Sequence, residues 1–224
     1  MLGAVIGDIA GSRFEFDNYR HIDFDIFSPD SDFTDDTICT VAIAYWVLQG
    51  CNDHLASILQ GWCRAYPYPK GAYGGRFSQW IEWKDPEPYN SWGNGSAMRV
   101  SAVGWAFATL EETLHFAEQS AAVTHNHPEG IKGAQAVAAA IFWARIGIGK
   151  AQIKENITRQ FGYDLSQSCD QIRPHYHFNE SCQETVPQAV TAFLESDDFE
   201  HAIRLAVSLG GDSDTLAAIT GSIA

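Results

Sequence analysis

The stretch Ile131-Lys132-Gly133-Ala134-Gln135-Ala136-Val137-Ala138-Ala139-Ala140-Ile141-Phe142-Trp143-Ala144-Arg145-Ile146 decides the fold class. It reads as an alanine-rich helix with too little polar surface to face water, which places it at the centre of a helical bundle. Working outward from it, small-residue and apolar runs of helical length recur from end to end, and convincing strand alternation is scarce. The expectation is an all-α fold, one compact bundle of about ten helices whose loops converge on one end. No internal repeat or low-complexity linker divides the chain, so residues 1–224 are read as a single domain.

Composition supports this reading and narrows the function. With 224 residues, 46% hydrophobic and 12% aromatic, the chain can bury a sizeable core. A net charge of −14 is the wrong sign for a broad nucleic-acid surface or an anionic membrane. No apolar run approaches the ~20 residues of a membrane span, and no basic segment precedes a long apolar stretch at the N-terminus. A cytoplasmic monomer is the expectation. The five cysteines, Cys39, Cys51, Cys63, Cys169 and Cys182, are odd in number and lack C-x-x-C spacing, so they read as reduced packing thiols.

Before the central run, residues 1–10 suit either a strand or a close-packed helix. Gly3, Gly7 and Gly11 favour the helix, because a four-residue repeat lays one bare face along it for another backbone to approach. Asp8 and Glu15 flank its end. Residues 17–32 are acidic and aromatic and read as loop, and residues 38–48 read as a buried helix. Further helices are expected over residues 54–65, 111–123, 151–161, 187–195 and 199–209, with Pro187 in a first turn and Gly162 as a stop. Residues 67–89 are rich in proline, glycine and aromatics and read as irregular.

Two acidic clusters carry the chemistry. Phe33-Thr34-Asp35-Asp36-Thr37 and Gly210-Gly211-Asp212-Ser213-Asp214-Thr215 each crowd two carboxylates and neighbouring hydroxyls together. Acids this close repel, and a hard divalent cation between them is the usual reason for such a pattern. Helix capping explains one acid or threonine at the start of residues 38–48, but not two acids between two threonines. Asn90-Ser91-Trp92-Gly93-Asn94-Gly95-Ser96-Ala97-Met98-Arg99 leads into the apolar run 100–108, and free backbone N–H groups of a glycine-rich loop opening a helix suit a phosphate or pyrophosphate; a plain turn is the competing reading. Thr124-His125-Asn126-His127-Pro128 lacks the spacing of a zinc-protease helix, so its histidines read as ligand-binding, stacking or capping residues. Cys169, His175, His177 and Cys182 match no compact metal pattern.

Taken in order, Gly7-Asp8-Ile9-Ala10-Gly11-Ser12 with Glu15, Thr34-Asp35-Asp36-Thr37, Ser91 through Arg99, Thr124-His125-Asn126-His127 and Gly210 through Thr215 resemble the ADP-ribosylglycohydrolase family, the group related to dinitrogenase reductase-activating glycohydrolase. The likeness covers nearly the whole chain. It implies an all-helical fold with a two-metal centre of Mg2+ or Mn2+, and release of ADP-ribose from modified protein side chains or small ADP-ribosyl compounds. The resemblance assigns Thr34, Asp35, Asp36, Asp212, Asp214 and Thr215 to the metals. It assigns Ser91, Gly93, Asn94 and Gly95 to the pyrophosphate and adjoining ribose, and His125 to ligand contact. Glu15 and Asp36 are the candidate catalytic acids. Two departures from the family pattern stand out: the chain is short and stops soon after its last acidic motif, an expectation of an abbreviated C-terminus, and residues 67–89 do not follow a family signature and are expected to line the acceptor side. A catalytically weak ADP-ribose-binding module and a structural helical domain with capped acids are the competing readings.

Overall fold

The computed structural model describes residues 1–224. Its helices, in chain order, are α1 (Leu2–Gly11), α2 (Asp35–Leu48), α3 (Leu55–Ala65), α4 (Gly75–Glu82), α5 (Gly95–Met98), α6 (Ser101–Ala106), α7 (Leu110–Ala122), α8 (Pro128–Arg145), α9 (Lys150–Phe161), α10 (Cys169–Ile172), α11 (Cys182–Glu195), α12 (Phe199–Ser208) and α13 (Ser213–Ile223). There is no strand; Thr34 with Lys70 and Gly93 with Ser181 form two isolated bridges between loops. The all-α expectation is met, with thirteen helices in place of about ten.

The central stretch is buried as its composition requires. Ala134 and Ala136 through Ala140 of α8 are fully enclosed, and α8 packs against α5, α6, α7, α9, α11 and α13. Small side chains let these neighbours approach closely, and the bulk is supplied around them by residues such as Ile141, Ile153, Ile157 and Leu216. The chain's two ends meet in the same way. A Cβ on Gly7 would stand 2.0 Å from the Ala217 carbonyl oxygen, and one on Gly3 or Gly11 would strike the backbone of Gly221 or Ser213. The glycine stripe of α1 therefore lies directly against α13, which carries the N-terminal acids to the C-terminal ones.

Some boundaries differ from the sequence expectation. Inside the supposedly irregular 67–89 segment, Phe77, Trp80 and Ile81 recur at helical spacing and are buried by α4, behind a glycine pair that hides the pattern. The glycine-rich stretch itself carries the short helix α5, and the apolar run after it forms α6 and ends at Ala106. Helix α8 starts at Pro128 rather than Ile131, because proline suits a first turn and the His127 side chain accepts from the Glu129 N–H as the cap. Helix α11 starts at Cys182, so Pro187 lies inside it and not in its first turn. Gly162 ends α9 in the left-handed region, at φ 71°, as its position suggested.

Candidate active site

The site grows from the first turns of α2 and α13. Thr34 is the N-cap of α2, its side chain accepting from the Asp36 N–H at 3.1 Å. Asp35 and Asp36 follow in the first turn, where the positive end of the helix dipole faces carboxylates favourably. Gly210 and Gly211 both adopt positive φ, at 76° and 71°, and turn the chain sharply into Asp212 at the head of α13. Asp214 and Thr215 then lie in that helix's first turn, and the Thr215 hydroxyl donates to Asp36 Oδ1 at 3.3 Å. Clusters separated by most of the chain thus meet at one place.

Asp8 holds the arrangement from below. It is fully buried on α1, and it accepts from the N–H and hydroxyl of Thr34, at 3.0 and 2.7 Å, and from the N–H and hydroxyl of Thr37. Four donors on one carboxylate fix the start of α2 against α1. Sequence reasoning placed Asp8 only at the edge of its helix. The available signal was an acid set between Gly7 and Gly11 in an otherwise apolar segment, which is costly unless every oxygen is satisfied.

A cavity of ≈ 270 Å³ opens above these turns. Glu15, Asp35, Asp36, Ser91, Gly93, Asn94, Gly95, His125, Asp212, Asp214 and Thr215 all line it. Thr34 does not: it is buried behind the wall, engaged with Asp8 and the Asp36 N–H. The glycine loop is held in place by Asn94, whose N–H donates to the Glu180 carbonyl and whose amide donates to Asp212 at 2.6 Å and Thr185 at 3.1 Å. The two histidines part company. His125 enters the cavity wall, while His127 caps α8, so ligand-facing and capping readings are realised by different residues.

The 67–89 segment lines the cavity through residues 71–77 and Tyr89, on the side where it was expected, while Glu180 was not singled out by the sequence. Arg76 lies over the Tyr89 ring at 5.0 Å, and Glu180 borders both this cavity and a neighbouring one of ≈ 620 Å³. Gly71, at φ 77°, lies against the Glu15 carboxyl, and Ala72 follows at φ 68°. Nothing in a local window announces these contacts, because the loops that supply them are shaped by tertiary packing.

The electrostatics are those of a site built for positive charge. Glu15, Asp212 and Asp214 bring carboxylate oxygens within 4.8 Å of one another. Burial, and then the charge of Asp214, push Glu15 up to about 8, and burial pushes Asp212 up to about 7. Burial also holds Asp35, Asp36 and Asp214 well above the usual carboxylate range; the Asp214 charge reinforces it for the first two, and Asp212 for the third. Glu15 Oε2, Asp36 Oδ2 and Asp214 Oδ1 are buried without a hydrogen-bond partner. Orphaned carboxylate oxygens in a confined wall are expensive, and hard divalent cations are the ligands that match such an all-oxygen set. No cysteine or histidine joins the cluster.

Comparison with known proteins agrees with this geometry. A profile of the ADP-ribosylglycohydrolase family matches residues 1–224. An uncharacterised protein of Archaeoglobus fulgidus is 31% identical over 144 residues, covering 58% of this chain and 47% of its own. ADP-ribosylarginine hydrolase Tri1 of Pseudomonas putida is 26% identical over 259 residues, covering 100% of this chain and 68% of its own. ADP-ribosylhydrolase ARH3 of Mus musculus is 27% identical over 179 residues, covering 60% and 48%. The chain thus spans about half the length of two of these three relatives. A solved structure of an ADP-ribosylglycohydrolase-related protein complex superposes on 100% of this chain and 83% of its own with a TM-score of 0.75 at 25% identity. With the family profile matched from the first residue to the last and the fold shared throughout, the chain belongs to the ADP-ribosylglycohydrolase family.

Proposed function

We propose that the chain is a metal-dependent hydrolase that cleaves the glycosidic bond of ADP-ribosylated arginine or serine side chains, or of small ADP-ribosyl compounds, and releases ADP-ribose. The observation that carries this reading is the convergence of Glu15, Asp212 and Asp214 within 4.8 Å, beside orphaned oxygens of Asp36 and Asp214, in a cavity whose wall includes the glycine loop. Asp35, Asp36, Asp212, Asp214 and Thr215 would hold two divalent cations, Mg2+ or Mn2+. Thr34 would join them through whatever lone pair its bonds to Asp8 and Asp36 leave free. When bound, the cations supply positive charge that orients ribose hydroxyls and favours deprotonation of water.

The remaining chemistry belongs to side chains. Cleavage at the anomeric carbon passes through an oxocarbenium-like state, which a wall of carboxylates stabilises electrostatically. Glu15 stands at the cavity edge with one unpartnered oxygen, in position to move a proton to or from the reacting groups. Asp36 is the second candidate base, since its Oδ1 is taken by Thr215 and its Oδ2 is free. The Ser91–Gly95 loop and His125 would receive the pyrophosphate and adjoining ribose, leaving the Gly71–Phe77 side for the acceptor.

A panel of arginine-, serine- and small-molecule-linked ADP-ribose, incubated with Mg2+, Mn2+ or chelator, tests the reading. Cation-dependent release of ADP-ribose, lost in Asp35→Ala and Asp214→Ala, is the expected result. Undiminished turnover in those variants would sink it. Calorimetric binding of ADP-ribose with no cleavage of any substrate would leave the chain a binding module.

A further inference from the structure

His125 presents Nε2 to the glycine loop. A Cβ on Gly93 or Gly95 would lie 3.3 or 3.2 Å from that nitrogen, so both glycines leave room beside it. Within the chain, the ring's one hydrogen-bond contact is at the other nitrogen, Nδ1, where the Thr124 hydroxyl lies at 2.7 Å. Which of the two atoms donates is settled one bond further on. Arg99 Nη2 donates to the same Thr124 hydroxyl at 2.8 Å and to the Ser120 carbonyl at 2.9 Å. Arg99 only donates, so Thr124 receives from it and keeps a single hydrogen to give. Of the two groups bonded to that hydroxyl, only His125 Nδ1 can accept. A proton on Nδ1 would strand the hydroxyl hydrogen of a fully buried threonine beside a guanidinium.

We infer that Arg99 and Thr124 are positioning residues that fix His125 in its neutral Nε2–H form, so that the imidazole donates to an anionic oxygen of the ligand seated on Gly93 and Gly95. The part of this that concerns the ligand rests on the proposed ADP-ribose reading, in which that oxygen belongs to the diphosphate. The relay itself rests on the hydrogen-bond chain. Burial, with the charge of Arg99 added to it, holds His125 well below the usual histidine range, in agreement with a neutral ring. Arg99 is 1% exposed, has no carboxylate partner, and commits its Nη2 to Thr124 and Ser120.

Two-bond 1H–15N correlation spectra of the full chain labelled with 15N-histidine read the tautomer directly. His125, identified by the signal missing from His125→Gln, is expected as the Nε2–H form with Nδ1 accepting a hydrogen bond. An Nδ1–H or imidazolium pattern at neutral pH would overturn the relay without any variant of Thr124 being made. Thr124→Val removes the hydroxyl while keeping the shape, and calorimetry should then show ADP-ribose bound about 10-fold more weakly, equivalent to ~1.4 kcal/mol. Thr124→Ser should restore binding, and Mn2+ affinity should not change in either variant. Equal ADP-ribose affinity in the valine and serine variants would overturn the positioning role. Failure of the unaltered chain to bind ADP-ribose would overturn the ligand assignment, while the spectrum still decides the relay.

Discussion

The Asn94 side-chain amide donates to Asp212 Oδ2 at 2.6 Å, joining the glycine loop to the acidic cluster across most of the sequence. The same amide nitrogen donates to Thr185 Oγ1 at 3.1 Å, so both of its hydrogens are spent on orienting other groups. Asp212 is thereby aimed into the cavity, and the loop is pinned to the wall that holds the acids. A ligand on the loop and a cation at the acids therefore share one support.

Asn94→Ala should weaken divalent-cation binding, because outer hydrogen bonds to a ligating carboxylate typically contribute about 10- to 100-fold in affinity. Titration calorimetry with Mn2+ measures this. Unchanged Mn2+ affinity would show that Asp212 needs no such orientation.

Gly7→Ala should destabilise the whole fold. The added methyl would stand 2.0 Å from the Ala217 carbonyl oxygen, and backbone cannot rotate away as a side chain does. Separating α1 from α13 costs packing of the kind that overfilled cores lose, about 1–3 kcal/mol or more, and lifts Asp8 away from Thr34 and Thr37. A thermal melt of the variant should shift downward and cation binding should weaken with it. A coincident melt would mean that the two helices have slack absent from their observed contact.

The ease with which parts of this site were legible follows from where their information lies. The glycine stripe of α1 and the paired acids at 35–36 and 212–214 are local violations of ordinary composition, and each violation has its explanation a few ångströms away in Ala217 or in the acidic cluster itself. Helix α4 and the Gly71 turn beside Glu15 violate nothing locally, since glycine and aromatics are common in loops. Asp8 stood between the two cases. Its position in an apolar helix was visible, but its four donors come from residues 34 and 37, and only the fold supplies them. Thr34 likewise showed its oxygen in the sequence, but not the bonds to Asp8 and to the Asp36 N–H that leave its hydroxyl a single lone pair.

Stability should depend on pH and on cation together. Glu15 is pushed up to about 8 and Asp212 to about 7, so the folded chain without cations binds more protons than the unfolded chain between the ordinary carboxylate range and those values. Stability is then fullest at acidic pH and is lost as pH rises through about 7 and then about 8. A bound divalent cation replaces those protons as the compensating charge. Calorimetric melting in chelator should show a falling midpoint from about pH 5 to about pH 8, and the gain from Mg2+ should grow over the same interval. A Mg2+ gain that shrinks as pH rises would contradict the electrostatic account of the cluster.

Gly71 controls where Glu15 can be. Its φ of 77° disfavours any side chain, and a Cβ there would approach Glu15 Oε2 to 2.3 Å. Gly71→Ala should push the Glu15 carboxyl from its place, and displacements of about 1 Å in a reacting group can cost about 100-fold in rate. Gly74 is the control, because a Cβ at that position meets nothing within 4 Å and its φ of −53° suits alanine. ADP-ribose release measured in parallel should fall steeply for Gly71→Ala and stay near the unaltered rate for Gly74→Ala. Unaltered rates in both variants would show that the loop does not position Glu15. A fall in both would instead assign the glycine-rich loop a general need for flexibility, with Glu15 no more dependent on Gly71 than on its neighbours.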